Sequence, residues 1–115
     1  MVASFFLCFF LIFKAQLTWT TPISHDFGVV KQGRTVFTKF KFRNTGDEPI
    51  RIDNVRTGCD CTTPDWPEDD IEPGATGEIT IGLEAREVGY YRETATVWIH
   101  KQRKPEKLVV EATSE

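Results

Sequence analysis

Apolar and polar residues alternate with period two through most of this chain. From Arg34 to Arg43, Val36, Thr38, Phe40 and Phe42 fall on one side of an extended backbone, and Phe37, Lys39, Lys41 and Arg43 on the other. Side chains of a strand point alternately to opposite faces, so this segment reads as a strand with one dry and one wet face. The same beat returns in Glu78 to Glu84, where Ile79, Ile81 and Leu83 oppose Glu78, Thr80 and Gly82. It returns again in Tyr91 to His100, with Ala95, Val97 and Ile99 against Thr94, Thr96 and Trp98. Ile23 to Val30, a segment opened by Ile50 and Ile52, and Leu108 to Val110 with Ala112 complete the set. Asp26-Phe27-Gly28 marks a bulge or kink inside the first of these. Turn residues separate them: Lys31-Gln32-Gly33, the cluster Asn44 to Pro49, Pro73-Gly74, Glu87-Val88-Gly89 and the basic loop Lys101 to Lys107. No segment beyond the N-terminal run has helical periodicity. The pattern predicts an all-β protein, an immunoglobulin-like β-sandwich of about seven strands over roughly 90 residues.

The N-terminus breaks the beat. Val2 to Phe13 is apolar except for Ser4, and Lys14 ends the run. A bilayer span takes about 20 apolar residues, so this run has the length of a signal-peptide core instead. Residues 1–20 are expected to be a signal peptide or hydrophobic leader, cleaved near Ala15 or within Thr18 to Thr21, and residues 21–115 the sandwich. The alternative is a buried N-terminal strand or helix. Export places the chain in the periplasm or cell envelope of a bacterium, with no transmembrane span in the mature protein. It also removes Cys8 and leaves two cysteines in an oxidising compartment.

A chain of 115 residues has room for one domain and a modest core. The net charge of −3 and the lack of a concentrated basic face argue against nucleic-acid binding. Catalytic signatures are missing too: there is no Ser-His-Asp arrangement, no phosphate-binding glycine loop and no paired-acid motif. His25 and His100 have no catalytic companions in the sequence. The expectation is a protein that is not an enzyme and carries no cofactor.

The chemistry that remains lies between Asn54 and Pro67. Cys59-Asp60-Cys61 puts two thiols on the same side of an extended backbone, with Cβ atoms about 6–7 Å apart, and a disulfide wants about 3.5–4.5 Å. Closing a bridge therefore needs a local bend, which Gly58 is placed to allow. A structural disulfide, a free thiol pair, a redox couple and a shared soft ion such as Cu(I) are all compatible with the spacing. A zinc site of the structural kind asks for two more Cys or His ligands. Asp60 and Asp65 work against a reactive thiolate. The carboxylates Asp65, Glu68, Asp69, Asp70 and Glu72 form a solvated acidic loop or a calcium site, without the spacing of a known calcium loop. Trp66 is either a partner-binding aromatic or a cap over the cysteines. Phe37 and Trp98, on outer strand faces, mark either a docking surface or a wider core.

Four segments in order resemble one bacterial family. They are His25-Asp-Phe-Gly-Val-Val-Lys-Gln-Gly33, Phe40-Lys-Phe-Arg-Asn-Thr-Gly-Asp-Glu-Pro49, Gly58-Cys-Asp-Cys-Thr-Thr-Pro64 and Ile71-Glu-Pro-Gly74. The family is a domain of unknown function (number fifteen seventy-three), common in envelope proteins of Bacteroidetes-like bacteria. It is similar to Hydin-like and major-sperm-protein-like immunoglobulin domains. Asp60 stands where the family usually has Gly. The resemblance implies an exported immunoglobulin-like sandwich without an established activity. The expected function is a non-catalytic module that binds another envelope protein or a surface component. The alternative is a thiol redox or soft-metal protein using Cys59 and Cys61.

Overall fold

The structure, a computed structural model, describes residues 16–115. The expected leader therefore lies outside the described residues except at its end. Eight strands follow in order: β1 (Leu17–Trp19), β2 (Ser24–Val30), β3 (Thr35–Asn44), β4 (Ile52–Thr57), β5 (Thr62–Asp65), β6 (Thr76–Glu84), β7 (Gly89–Ile99) and β8 (Glu106–Ser114). They form two four-stranded sheets, β1-β3-β6-β5 and β2-β8-β7-β4.

The period-two reading holds strand by strand. Phe40 and Phe42 of β3, Ile79, Ile81 and Leu83 of β6, Ala95, Val97 and Ile99 of β7, and Leu108, Val110 and Ala112 of β8 fill the space between the sheets. Burying such side chains is worth about 1.5–3 kcal/mol each for the larger ones, so the inner faces carry the fold. Ile71, the one aliphatic residue in the acidic stretch, is buried and pairs with Ile50 through both backbone hydrogen bonds.

Two short strands were not legible in the pattern. β5 holds Pro64, whose lack of an N–H is tolerated because β5 is an edge strand. β1, which the sequence reading leaves inside the leader, pairs antiparallel with β3. Leu17 is buried there, and Trp19 packs edge-on against Phe42 at 5.5 Å between ring centres. The Trp19 Nε1–H donates to Glu106 Oε1 at 3.0 Å, so β1 ties the first sheet to β8 of the second. The sandwich thus begins before residue 21. The bulge in β2 is where Asp26-Phe27-Gly28 predicts it: the register shifts between Asp26 and Val29, with Gly28 at φ 73°. Pairing of β2 with β8 is parallel, a feature without a signal in the sequence.

The turn after β3 is built around Asn44, which is fully buried. Its Nδ2 donates to the carbonyls of Glu48 and Ile71, each at 2.8 Å, and its Oδ1 accepts the Gly46 N–H at 2.9 Å. Its own N–H and carbonyl bond Ala75 and Gly74. Every polar group of this residue is used, which is what a buried amide requires.

Candidate functional site

β4 belongs to the second sheet and β5 to the first, so the chain crosses between sheets through Gly58 to Cys61. The crossing is a tight turn centred on the Cys59 carbonyl. That oxygen accepts from the Thr62 N–H at 3.2 Å, the Thr62 hydroxyl at 2.8 Å and the Thr57 hydroxyl at 3.3 Å. The turn brings the Cys59 and Cys61 Cα atoms to 5.1 Å, and the two cysteines form a disulfide. The bend that the sequence demanded is therefore present. It does not come from a special conformation at Gly58, where a Cβ would meet nothing within 4 Å and φ is not left-handed. The threonine hydroxyls on either side hold it instead.

Cys61 is buried in the core and Cys59 is half-buried. The Cys61 N–H donates to Cys59 Sγ at 3.1 Å. Asp60 at the apex is held by Arg86, whose Nη1 lies 2.9 Å from Asp60 Oδ1 and whose Nη2 donates to the Asp60 carbonyl at 3.2 Å. The same guanidinium bonds Glu84 Oε1 through Nε at 2.8 Å. The Glu84 hydrogen bond and the Asp60 and Glu84 charges raise the Arg86 pKa above its ordinary value. Asp60 thus faces a fixed cation rather than standing alone against the thiols. The Glu84 N–H also donates to the Cys61 carbonyl at 2.8 Å.

A third group joins the pair. In β7 the odd-numbered residues from Tyr91 to Ile99 point inward, and Glu93 is one of them, opposite Val110 of β8. A carboxylate oxygen of Glu93 and the two Sγ atoms all lie within 4.8 Å of one another. Among the described residues this is the one cluster of three His, Cys, Asp or Glu ligand atoms close enough to share an ion. Thr57, Thr62, Ile81, Ala95 and Leu108 line the narrow cleft beside Glu93. No hydrogen bond or ion pair to its carboxylate exists among the described residues. Sequence reasoning missed Glu93, although a signal was available. Counting back by two from Ile99, Val97 and Ala95 reaches position 93, where a core residue belongs and a carboxylate stands.

The remaining sequence candidates are dispersed. Phe37 lies on the outer face of the first sheet, 63% exposed, with its ring across Gly82 so closely that a Cβ there would sit 2.6 Å from it. Trp98 lies on the outer face of the second sheet, 41% exposed. Trp66 follows β5 and is half-buried in an open cleft with Ile71, Gly77 and Thr80. That cleft is at the opposite end of β5 from the cysteines, so Trp66 does not cap them. The acidic residues 65–72 do not converge on a common point. His100 makes a surface network, its ring nitrogens 3.1 Å from Asp53 Oδ2 and Arg51 Nη2, and His25 packs edge-on to Phe27. No helix among the described residues is long and apolar enough to cross a membrane.

Two facing four-stranded sheets with these connections define an immunoglobulin-like sandwich. A human domain, the ASH / PapD-like domain 7 of CEP192, superposes with a TM-score of 0.75 at 12% identity, over 90% of each chain. A protein of unknown function from Porphyromonas gingivalis W83 gives a TM-score of 0.71 at 18% identity over 84% of this chain. The secreted serine protease VesC from Vibrio cholerae gives 0.63 at 13% identity over 85% of it. The chain spans 46% of the Porphyromonas protein and 23% of VesC, and at these identities the likeness is one of fold. No curated protein sequence matches. The family described as protein of unknown function (DUF1573) matches residues 17–114, and the chain belongs to it.

Proposed function

We propose that this chain is an exported, non-catalytic immunoglobulin-like module that binds another envelope protein through the outer face of its second sheet. The observation that carries the reading is the placement of Tyr90 and Trp98. Both are outward residues of β7, exposed near its two ends. Val29 of β2 stands in the same row as Tyr90, since both pair with Thr113 of β8, and it is 69% exposed. Exposed Tyr and Trp side chains are frequent anchors of protein interfaces. Similar sandwiches that occupy only part of longer chains also favour a module that works beside other parts.

The leader in this reading ends before Leu17, because a cut within Thr18 to Thr21 removes the strand that clasps Phe42 and Glu106. Intact mass of the exported protein checks this. Cross-linking in native envelopes tests the partner. A reproducible adduct that is lost with Trp98→Ala and Tyr90→Ala, and kept with Phe37→Ala, is the expected result. No adduct from any of these proteins would sink the reading.

A second reading, a thiol redox or soft-metal protein, is favoured by the inward carboxylate beside the bridge. Counting free thiols with and without reductant checks whether the bridge opens in the folded protein.

A further inference from the structure

We propose that the reduced turn is a three-donor site for one divalent cation of the zinc type, formed by Cys59 Sγ, Cys61 Sγ and a Glu93 carboxylate oxygen. The inference deepens the second reading and rests on it, since the bridge must open first. Three observations meet here. Glu93 points inward from β7, without a hydrogen-bond or ion-pair partner among the described residues, and its oxygen is already grouped with both sulfurs within 4.8 Å. The carboxylate is half-buried beside the bridge and lines the same narrow cleft as Thr57 and Thr62, so it is a ready oxygen donor to an ion held by the two sulfurs. A dication would offset two of the three negative charges of two thiolates and a carboxylate, and these three donors leave one position open, as in three-ligand zinc sites. Tetrahedral zinc, with bonds of about 2.3 Å to sulfur and about 2.0–2.2 Å to oxygen, spaces its donors about 3.5–3.8 Å apart. The Cys59 and Cys61 Cα atoms are 5.1 Å apart and the three donor atoms lie within 4.8 Å of one another, so the sulfurs have to part and the carboxylate to close in by a short distance.

The second observation is the backbone N–H of Cys61, which donates to Cys59 Sγ at 3.1 Å. A donor aimed at sulfur stabilises a thiolate and orients a ligand, the role of hydrogen bonds around metal-bound donors. The third is that the turn has other holders besides its bridge. The Cys59 carbonyl is held by three donors, the Cys61 carbonyl by the Glu84 N–H, and Asp60 by Arg86. The frame of the site therefore stays in place after the sulfur–sulfur bond breaks.

Opening requires a dithiol reductant. A thiolate of the dithiol attacks the Sγ of Cys59, the less buried cysteine; the Cys59–Cys61 bond breaks and Cys61 leaves as a thiolate. The second thiolate of the reductant then attacks its own sulfur in the mixed disulfide and releases Cys59 as a thiolate. The reductant departs as a closed disulfide, its two protons pass to solvent, and the cation takes both thiolates. Oxidation by a disulfide reverses the sequence and expels the ion, so the bridge gates the site.

The test uses the full chain, reduced with dithiothreitol, freed of it under nitrogen and titrated with Co²⁺ and then Zn²⁺. The expected result is one Co²⁺ per chain, with thiolate charge-transfer absorption and the intense visible bands of a four-coordinate ion, displaced by Zn²⁺. Glu93→Gln keeps the β-sheet circular dichroism of the wild type and weakens binding by roughly tenfold or more, with shifted visible bands. The disulfide form binds no ion. A bridge that dithiothreitol leaves closed removes both the second reading and this inference. Reversible opening with equal affinity and identical bands in Glu93→Gln overturns the inference alone, as does loss of the β-sheet spectrum on reduction.

Discussion

Two polar turns sit at opposite ends of β6, and they are built to opposite rules. At one end Asn44 is buried and every donor and acceptor it owns is used, by Glu48, Ile71, Gly46, Gly74 and Ala75. At the other end the Cys59 to Thr62 turn holds its backbone just as firmly, yet leaves the Glu93 carboxylate unmatched beside two sulfurs. A buried polar group that is fully satisfied, as Asn44 is, fixes a fold; the half-buried Glu93 carboxylate, bonded to no protein group among the described residues, stays available for chemistry. The difference separates the structural polar residue from the candidate functional one without reference to either side's sequence motif.

The comparison predicts that the Asn44 end is the costlier to damage. Asn44→Ala strands the Glu48 and Ile71 carbonyls and the Gly46 N–H, and is expected to lower stability by about 3 kcal/mol in urea unfolding. An effect smaller than that of removing the disulfide would reverse the assignment. Next in size is a contrast between two glycines of β6. A Cβ at Gly77 meets the ring of buried Phe42 at 2.6 Å and Ile71 Cδ1 at 3.1 Å, so Gly77→Ala should cost about 2 kcal/mol by overpacking. A Cβ at Gly82 meets only the exposed Phe37 ring, which can swing away, and Gly82→Ala should cost less than about 0.5 kcal/mol. Thermal melts of the two variants side by side decide this.

Removing the bridge ranks below Gly77→Ala. A ring closed across two residues restrains the unfolded chain little, about 1.5 kcal/mol by chain entropy, so Cys59→Ser with Cys61→Ser should leave a folded sandwich. Global unfolding of that double variant would show that the threonine hydroxyls do not hold the turn by themselves. The smallest effect lies outside both turns. Tyr90 donates to Glu111 Oε1, and that hydrogen bond raises its pKa above the ordinary 10.0. Because the folded value is the higher one, the bond contributes to stability below pH about 10 and is lost as the pH rises through the folded pKa. Ultraviolet titration of the phenols should show a late-ionising component that Tyr90→Phe removes. An ultraviolet titration curve left unchanged by Tyr90→Phe at its high-pH end would count against it.

The sequence by itself determined the inner faces. Alternation in Val36 to Phe42, Ile79 to Leu83 and Ala95 to Ile99 can be buried only by pairing two sheets, because a strand has two sides and only one of them is apolar. It also determined the bulge at Gly28 and the demand that Cys59-Asp60-Cys61 bend. Tertiary structure alone decided which distant residues meet. Loop closure and register brought Trp19 to Glu106, set β2 parallel to β8, and turned Glu93 of β7 toward a disulfide on the crossing from β4 to β5. A local pattern states which side of a strand is buried. It cannot state what lies across the gap, because that depends on how the sheets are stacked rather than on any one strand's residues.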